Sequence, residues 1–306
     1  MSSGTHPGSQ LGLIVISHGH EALLPSCLGA ALAACPDGTE TVIVDNLPRT
    51  SDLPGGTRDP ELPEGVRIIE NATPLGFAAN ANRGAGAVAA PFLLVLNPDV
   101  RVTGGRIAEL IAFLRAHPRV GCVGARLLDP DGTIQPSARA FPEPLLLVLR
   151  ALGVDRRAGG SGHVRRSMDR VRDVGRPEPF DWVTGAFMLL RRSAFEEVGG
   201  FDERYRLYYE DVDLCHRLRL AGHETWYHPG VTAEHDHARA SARSPFQRVF
   251  LWHLMGAARF FVRHARARLR RPSGAAPLRP GQARASTARA EDASERAVAQ
   301  PSGPSR

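Results

Sequence analysis

Short runs of aliphatic residues, several of them followed directly by a polar residue, recur through the first third of the chain and restrict its possible folds. We assign strands to Leu11–Ser17, Thr41–Val44, Val66–Glu70 and Pro91–Leu96. A short, continuously apolar run is typical of a strand that is buried on both faces of a sheet. Segments with helical patterns lie between or after these strands, at Glu21–Ala34, Gly76–Ala90 and Gly104–Ala116. The alternation predicts an α/β fold with a Rossmann-like, mostly parallel sheet flanked by helices.

Polar side chains follow the predicted strands at the point where each strand ends. They are His18, Asp45, Asn71 and Asp99. In open α/β sheets, ligands bind beyond the carboxyl ends of the strands. The sequence therefore predicts a binding site along this edge of the sheet.

The second half of the chain has a more irregular pattern. Strands are predicted at Val120–Leu128 and Trp182–Arg191, helices at Arg192–Val198 and Asp211–Ala221, and short extended pieces at Glu224–Tyr227 and Gly230–Ala233. The Arg-containing segment Arg150–Pro179 has the composition of a loop, and its position suggests a part in acceptor choice.

The chain is predicted to have four parts. Residues 1–10 form a polar, flexible N-terminus unlike a signal peptide, residues 11–241 a catalytic domain, residues 242–271 an amphipathic basic helix, and residues 272–306 a disordered tail. The chain contains no apolar run of eighteen residues, so no membrane-spanning helix is expected.

The charge distribution argues against a nucleic-acid-binding protein, and the cysteine spacing predicts buried thiols. The net charge is +6, but the segment from Arg239 onward holds 14 Arg and 3 acidic residues, so the basic character belongs to the C-terminal part. Nucleic-acid binding is not expected, because no recognisable module combines basic and stacking aromatic residues. The four cysteines include no closely spaced pair and are predicted to be buried thiols in a reducing compartment.

The segment Leu96-Asn97-Pro98-Asp99 places a carboxylate just beyond a buried strand. Hard divalent cations take oxygen ligands and bridge phosphates, so Asp99 suits a metal site. Asn-Pro-Asp is also common turn chemistry, and for this segment alone the turn is the stronger interpretation.

Three carboxylates, Glu210, Asp211 and Asp213, lie within four residues before a helical pattern. Acidic residues favour helix N-termini, which explains part of the cluster. Three neighbouring charges also repel, a cost that a site in need of one ionised base would accept. Both interpretations remain open from the residues alone.

Two further segments carry candidate ligands. Alternation in Glu234-His235-Asp236-His237 puts both imidazoles on one face, where they could bind a metal or simply occupy a surface loop. In the segment 75–84, Gly76 allows close backbone approach, and Asn80 could bond to base, ribose or phosphate.

These motifs, in this order, resemble family 2 inverting glycosyltransferases, in the branch with bacterial rhamnosyltransferases and galactofuranosyltransferases. The likeness runs from about Leu11 to Ser241. Its motifs are Val44-Asp45-Asn46, Asn71 with Pro74-Leu75-Gly76-Phe77-Ala78 and with Asn80 and Asn82, Leu96-Asn97-Pro98-Asp99, Gly185-Ala186-Phe187-Met188, Gly199-Gly200-Phe201-Asp202-Glu203 and Glu210-Asp211-Val212-Asp213-Leu214.

The resemblance implies a GT-A fold, inverting transfer from a nucleotide diphosphate sugar (a dTDP- or UDP-sugar), and a divalent cation, Mg²⁺ or Mn²⁺. It assigns Asp211 as the catalytic base and Asp99 and His235 as metal ligands, and it implies that Glu210 and Asp213 bind the acceptor or support the site. The implied donor-binding residues are Ser17, Asp45, Asn71, Gly76, Phe77, Asn80, Asn97, Trp182 and Gly185.

The sequence departs from the family at two positions. The first strand of the family usually ends in an aromatic or hydroxyl residue followed by Asn, whereas here the sequence is Ser17-His18-Gly19-His20, so the resemblance leaves the choice between UDP and dTDP open. The metal motif has Asn97 where many relatives have Asp, which removes one charge from the site.

The segment Phe246–Arg271 combines apolar residues at helical spacing with many Arg, a pattern typical of helices at a membrane surface and also of helices packed on a core. With the resemblance, it predicts a cytoplasmic enzyme peripheral at the inner face of the plasma membrane. Its acceptor would be a lipid-linked sugar or a polysaccharide, and its donated sugar rhamnose.

Two other functions compete with this prediction. A sugar-1-phosphate nucleotidyltransferase would carry a Gly-rich basic loop near the first strand, which Ser17-His18-Gly19-His20 does not supply. A non-catalytic nucleotide-sugar-binding scaffold would not need Asp99, Asp211 and His235 together.

Overall fold

The computed structural model describes residues 8–47, 62–142, 175–236 and 246–269. Most of the N-terminal segment, residues 150–174 of the predicted loop and the whole predicted disordered tail lie outside the described residues. The chain divides into a unit of residues 1–262 and a second unit of residues 263–306, of which only the end of the last helix is described.

The first half builds a parallel sheet. Its strands are β1 (Leu11–Ser17), β2 (Glu40–Asp45), β3 (Val66–Glu70) and β4 (Phe92–Leu96), followed by β5 (Val100–Gly104). The helices are α1 (Leu24–Ala34), preceded by a 3-10 turn at Glu21–Leu23, α2 (Phe77–Gly86) and α3 (Ile107–Ala116). β1 pairs in parallel with β2 and β4, and β2 pairs in parallel with β3.

The second half extends the same sheet with strands of both directions. Its elements are β6 (Val120–Leu128), β7 (Ala138–Arg139), β8 (Glu178–Phe180), β9 (Trp182–Val183), β10 (Phe187–Arg191), α4 (Arg192–Glu197), α5 (Glu210–Leu220), β11 (Glu224–His235) and α6 (Phe246–Leu269). The strand order is β3-β2-β1-β4-β10-β6-β11-β5, with β8 on β11 and a separate β7-β9 pair.

Strand directions explain where the site forms. β10 is antiparallel to both β4 and β6, and β11 is parallel to β6, so β4 and β11 end at the same edge of the sheet. β10 begins at that edge, with Phe187 opposite Leu96. Residues that follow β1, β2 and β4, that precede β10 and that end β11 therefore lie along one edge.

Helices cover both faces of the sheet. Alternate residues of β1 belong to two apolar clusters, one shared with α1 and α3 and the other with α2, α4 and α5. This is the layering that the continuously apolar strands require, because both of their faces are buried. The structure confirms the predicted mostly parallel α/β fold.

Two glycines allow backbone segments to approach closely. A Cβ on Gly84 of α2 would lie 2.3 Å from Ile14 Cγ2, so its absence lets the helix pack tightly on β1. Gly105 has φ +79°, and a Cβ there would lie 1.8 Å from the carbonyl oxygen of Gly230. Only glycine fits this second turn without strain.

Several predicted boundaries differ from the structure. The predicted strand Trp182–Arg191 is interrupted between β9 and β10, and the two extended pieces after residue 223 form one twelve-residue strand, β11, with a register shift between His228 and Thr232. α2 ends at Gly86 rather than Ala90, and β5 and β8 were not predicted.

The described residues include no helix long and apolar enough to cross a bilayer. All four cysteines are buried and free, as predicted. Burial raises the pKa of the Cys27 thiol to about 12, so this thiol stays protonated at neutral pH.

Candidate active site

The nucleoside end of the predicted site is a network of buried amides beside β1 and β2. The Asn71 amide donates to Asn46 Oδ1 at 2.8 Å and to Asn80 Oδ1 at 2.6 Å. Asn46 Oδ1 also accepts the Leu75 N–H at 2.7 Å. The network holds the loop that leads into α2. Asn71 and Asn80 therefore shape the predicted donor loop from inside the protein.

His18 joins this network from the end of β1. The Asn46 amide lies 2.8 Å from His18 Nδ1 and also 3.0 Å from the Leu75 carbonyl oxygen. Because the amide nitrogen can only donate, Nδ1 acts as the acceptor and the His18 proton lies on Nε2. Ser17 and Asp45 are buried at the neighbouring strand ends.

Asp99 and His235 meet at the centre of the edge. Antiparallel pairing of β5 with β11 sets His235 opposite Val100, and the Asp236 N–H donates to the Asp99 carbonyl oxygen at 3.2 Å. His235 Nε2 lies 3.5 Å from Asp99 Oδ1, and both side chains are almost fully buried. Asp99 Oδ1 has no hydrogen-bond partner among the described residues.

Gln135 fixes the orientation of the His235 ring. Its Oε1 lies 2.9 Å from His235 Nδ1, and its Nε2 donates to the His235 carbonyl oxygen at 2.6 Å. A side-chain carbonyl can only accept, so Nδ1 carries a proton, and Nε2 is the ring nitrogen that faces Asp99. This is how outer groups usually hold a metal-binding imidazole.

The Asp99–His235 pair fits a divalent cation. A buried carboxylate oxygen that accepts no hydrogen bond from the described residues, 3.5 Å from an imidazole Nε2, could offer an oxygen and a nitrogen ligand. Within the described ranges, no group of three or more His, Cys, Asp or Glu side chains is placed to hold a metal. The remaining ligands would have to come from water or from a bound phosphate. Asn97, two residues before Asp99, is half-buried on the same turn.

Asp211 is held rigidly at the start of α5. Its Oδ2 accepts the Gly185 N–H at 3.0 Å, and its Oδ1 accepts the Val212 N–H at 2.8 Å. Burial raises the pKa of Asp211, and these backbone donors act against that shift. The carboxylate is therefore oriented and of increased basicity, as a general base requires.

The backbone just before Asp211 is strained. Tyr208 and Tyr209 have φ values of 68° and 71°, in the left-handed region that large residues rarely adopt. Such strain persists only where surrounding contacts enforce it, and it is frequent at functional sites.

The other two acidic residues of the cluster occupy different environments. Burial, and then repulsion from Asp211, raises the pKa of Glu210 well above the usual carboxyl range, and its Oε2 has no partner among the described residues. Asp213 is fully buried and paired with Arg217 at 2.6 Å, and it accepts the Tyr205 hydroxyl at 3.3 Å. Asp213 thus stabilises α5 through its ion pair with Arg217, whereas Glu210 Oε2 accepts no hydrogen bond from the described residues.

Two glycines of the predicted donor site, Gly185 and Gly76, lie in segments that contact the neighbouring groups of the sheet edge. The Asn97 N–H donates to the Ala186 carbonyl oxygen at 3.0 Å, and the next residue back, Gly185, binds Asp211. At Gly76, a Cβ would lie 2.8 Å from the Arg206 carbonyl oxygen, so the donor loop touches the segment that leads to the base.

Aromatic side chains close this part of the site. Phe77 packs edge-on against Phe201 with ring centroids 6.0 Å apart, and its ring would be 3.5 Å from a Cβ on Gly185. Trp182 donates through Nε1 to the Ala140 carbonyl oxygen at 2.9 Å. The Arg139 guanidinium lies 5.5 Å from the Trp182 ring centroid.

The predicted residues thus fall into three groups on one edge: the amide network, the Asp99–His235 pair, and Asp211 beside Gly185. Sequence reasoning missed Gln135 and Arg139. Gln135 has no local signal, because its partner is 100 residues away along the chain. Arg139 follows a stretch without periodicity, and only the β7-β9 pairing brings it opposite Trp182.

Comparison with known families shows the family of this chain. The family model described as Glycosyltransferase like family 2 matches residues 7–254, which include all of the site residues above.

Two curated relatives are named as rhamnosyltransferases. The N-acetylglucosaminyl-diphospho-decaprenol L-rhamnosyltransferase of Mycobacterium tuberculosis H37Rv is 35% identical over 191 residues, covering 59% of this chain and 62% of that protein. The rhamnosyltransferase WbbL of Escherichia coli K12 is 47% identical over 83 residues, covering 27% of this chain and 31% of that protein. The chain therefore spans less than two thirds of the length of either relative.

A solved structure shares the fold. The mannosyltransferase PcManGT from Pyrobaculum calidifontis, in complex with GDP-Man and Mn²⁺, matches with a TM-score of 0.51 at 16% identity, over 96% of this chain and 76% of that chain. At this identity the likeness supports the GT-A fold and nothing finer.

Proposed function

Because this chain belongs to glycosyltransferase family 2, we propose that it is an inverting glycosyltransferase that moves a sugar from a nucleotide diphosphate donor to an acceptor hydroxyl. The observation that carries the proposal is the Asp211 carboxylate, fixed by the N–H groups of Gly185 and Val212. It lies on the same sheet edge as the Asp99–His235 pair.

In this proposal Asp211 is the general base. Inverting transfer needs one group that takes the acceptor proton while the hydroxyl attacks the anomeric carbon from the side opposite the leaving diphosphate. It needs no second carboxylate as nucleophile. Hydrogen bonds to both carboxylate oxygens hold Asp211 in one orientation, which is what positioned proton transfer demands.

Asp99 and His235 would hold a divalent cation, Mg²⁺ or Mn²⁺, which, when bound, supplies positive charge to the donor diphosphate. Their burial and the contact with Gln135, which turns His235 Nε2 towards Asp99, support this assignment. Asn97, in place of a second carboxylate, leaves the site with less negative charge.

The donor would occupy the rest of the edge. Ser17, Asp45, Gly76 and Phe77 would surround the nucleoside, with Asn71 and Asn80 holding the loop that contacts it. Trp182 and Gly185 would line the sugar side. The nucleotide is a dTDP- or UDP-sugar, and rhamnose is the proposed sugar because both relatives are rhamnosyltransferases.

The acceptor is proposed to be a lipid-linked sugar of cell-surface polysaccharide assembly. The mycobacterial relative's name describes an acceptor of this type, a sugar joined through a diphosphate to decaprenol. Glu210, beside the base and with a free buried oxygen, remains the candidate for acceptor contact. Asp213 is left out of this role, because its carboxylate is occupied by Arg217 and Tyr205. We propose that the reaction takes place at the cytoplasmic face of the plasma membrane.

The testing experiment combines donor binding with turnover. Thermal shifts with UDP, dTDP and GDP sugars, with and without Mn²⁺ or Mg²⁺, should show one nucleotide that raises the melting temperature in a metal-dependent way. Asp211→Asn should retain that shift and lose transfer, whereas the surface variant Glu197→Gln should keep both. Full transfer by Asp211→Asn would refute the assignment of the base.

If no nucleotide shifts the melting temperature under any condition, the chain does not bind a nucleotide sugar by itself, and the proposed transfer reaction is wrong for the isolated protein. If a shift occurs but no lipid-linked or polysaccharide acceptor is glycosylated, the donor assignment stands and the acceptor class is wrong.

A further inference from the structure

We propose that one face of α6 is a docking surface for an anionic bilayer, and this proposal rests on the lipid-linked acceptor proposed above. The face, here called the outer stripe, consists of Leu251, Leu254, Met255 and Val262. Each of these side chains is more than half exposed, at 57%, 58%, 61% and 61%.

The outer stripe is continuous along the helix. Its members are spaced at intervals of three, four, seven and eight residues, which brings them to one side of an α-helix. The gap between Met255 and Val262 is filled by Ala258, which is small, apolar and exposed. An exposed apolar row of this length is unusual on a protein surface that has no partner.

The opposite face of α6 already has its own partner within residues 1–262. Ala257 and Phe260 are buried in a cluster with Tyr205, Tyr209 and Val212. At Gly256 the helix comes so close that a Cβ would lie 2.9 Å from the Tyr208 carbonyl oxygen. The helix is thus held by its inner face, and the outer stripe is not needed for that packing.

The positive charge of α6 favours an anionic bilayer as the partner of the outer stripe. The helix Phe246–Leu269 contains no acidic residue, and its Arg residues are Arg248, Arg259, Arg263, Arg266 and Arg268. Arg259 is exposed beside the outer stripe, with its guanidinium 6.0 Å from the ring centroid of Tyr205. An apolar row flanked by Arg matches the acyl boundary and the phosphates of an anionic leaflet.

A second copy of the chain is a poorer occupant. A symmetric pair would bring two identical basic helices together, and their Arg side chains would repel. A bilayer accepts the apolar row and attracts the same charges.

The inner face of α6, opposite the outer stripe, lies against the turn that leads to the proposed base. His253, on the same helix, has its ring centroid 5.5 Å from that of Tyr208 and 5.2 Å from that of Tyr209, the residues that lead into Glu210 and Asp211. Docking through the outer stripe would therefore place α6 between the membrane surface and this turn, at a separation of about one helix diameter, roughly 10 Å.

The test is co-sedimentation of the full chain with vesicles of phosphatidylcholine, with and without phosphatidylglycerol, and without donor or acceptor. The double variant Leu254→Gln and Met255→Gln should lower partitioning into anionic vesicles by about tenfold or more, since two half-exposed apolar side chains are replaced. The matched control is Leu220→Gln, which removes an exposed leucine (46% exposed) from α5. It should bind vesicles like the wild type.

Unchanged binding by the double variant would overturn the proposal, and so would equal wild-type binding to neutral and anionic vesicles. A wild-type dimer that the double variant converts to a monomer, without vesicle binding, would identify a second copy as the occupant and also overturn it. Donor-induced thermal shifts of both variants report on the proposed function separately. If the wild type shows no donor-induced thermal shift, the proposed transferase function is refuted but the docking surface is not.

Discussion

Replacing Gly256 with alanine tests whether α6 holds the strained turn before the base. An alanine Cβ would lie 2.9 Å from the Tyr208 carbonyl oxygen and 3.3 Å from Tyr209 Cβ. The carbonyl belongs to the backbone of a turn with φ values of 68° and 71°, so it cannot rotate away as a flexible side chain would. The helix and the turn must separate by a few tenths of an ångström.

The expected free-energy change has two opposing parts. Glycine to alanine inside a helix gains about 1 kcal/mol of helix propensity. Overpacking at a rigid contact costs about 1–3 kcal/mol. The net effect of Gly256→Ala on the free energy of unfolding is a loss of about 0–2 kcal/mol.

The matched control is Gly29→Ala in the middle of α1, where no atom lies within 4 Å of the new Cβ. This variant should gain up to about 1 kcal/mol, and its melting temperature should rise by about 2–4 °C. The sign of the change should therefore differ between two identical substitutions in two helices.

The assays are urea unfolding and steady-state transfer kinetics of both variants. Because Asp211 lies two residues after Tyr209, its displacement should lower kcat of Gly256→Ala. A shift of a few tenths of an ångström should cost less than the roughly 100-fold that a misplacement of about 1 Å can cost. Donor affinity should change little. If Gly256→Ala stabilises the protein as much as Gly29→Ala and retains full kcat, then α6 does not position the turn.

Three further predictions concern the site and its frame. Asp211→Asn should reduce kcat by about 10²–10⁴-fold. Because burial raises the Asp211 pKa and only the ionised carboxylate accepts a proton, wild-type kcat/KM should fall on acidification at a higher pH than an exposed aspartate would give. A pH profile that stays flat down to the ordinary carboxyl range would contradict this. Gln135→Met should weaken Mn²⁺ binding, measured by calorimetry, by about 10–100-fold, because His235 loses the group that orients it. Gln135→Glu restores an acceptor for Nδ1 and should recover part of the lost affinity. Equal Mn²⁺ affinities of the wild type and both variants would rule out the orienting role. Gly105→Ala should lower the free energy of unfolding, measured in urea, by about 2–4 kcal/mol, because it places a Cβ on a left-handed backbone and against the Gly230 carbonyl oxygen. A change below about 1 kcal/mol would show that this turn relaxes easily.

The fold could be predicted from the sequence because its central strands carry the signal themselves. Leu11–Ser17 and Phe92–Leu96 are apolar at every inner position, since helices cover both faces of the sheet. The family resemblance is confirmed by the model match over residues 7–254. The roles of individual site residues stay predictions.

Prediction failed where the pairing is long-range. β11 was predicted as two pieces separated by His228 and Pro229, yet the strand continues there through a register shift. β5 is short, with exposed Arg101 and Thr103 alternating with buried valines, and its place is set by β11 rather than by its own sequence.

Acidic residues illustrate a second limit. Spacing alone could not separate Asp211 from Asp213, which lie on the same first turn of α5. The difference arises from partners elsewhere: the Gly185 N–H orients one carboxylate, and Arg217 neutralises the other. Partner identity of this kind becomes visible only in three dimensions.

The bond between Gln135 and His235 also has a consequence for the order of events during synthesis. The two residues are 100 positions apart, and β11, which carries His235, is bonded to β5, β6 and β8. At ribosomal rates of about 5–20 residues per second, roughly 5–20 s pass after Gln135 is added before His235 exists. Over that interval the edge of β6 that β11 will cover is open, so a nascent chain at this stage offers a strand edge for chaperone binding or aggregation.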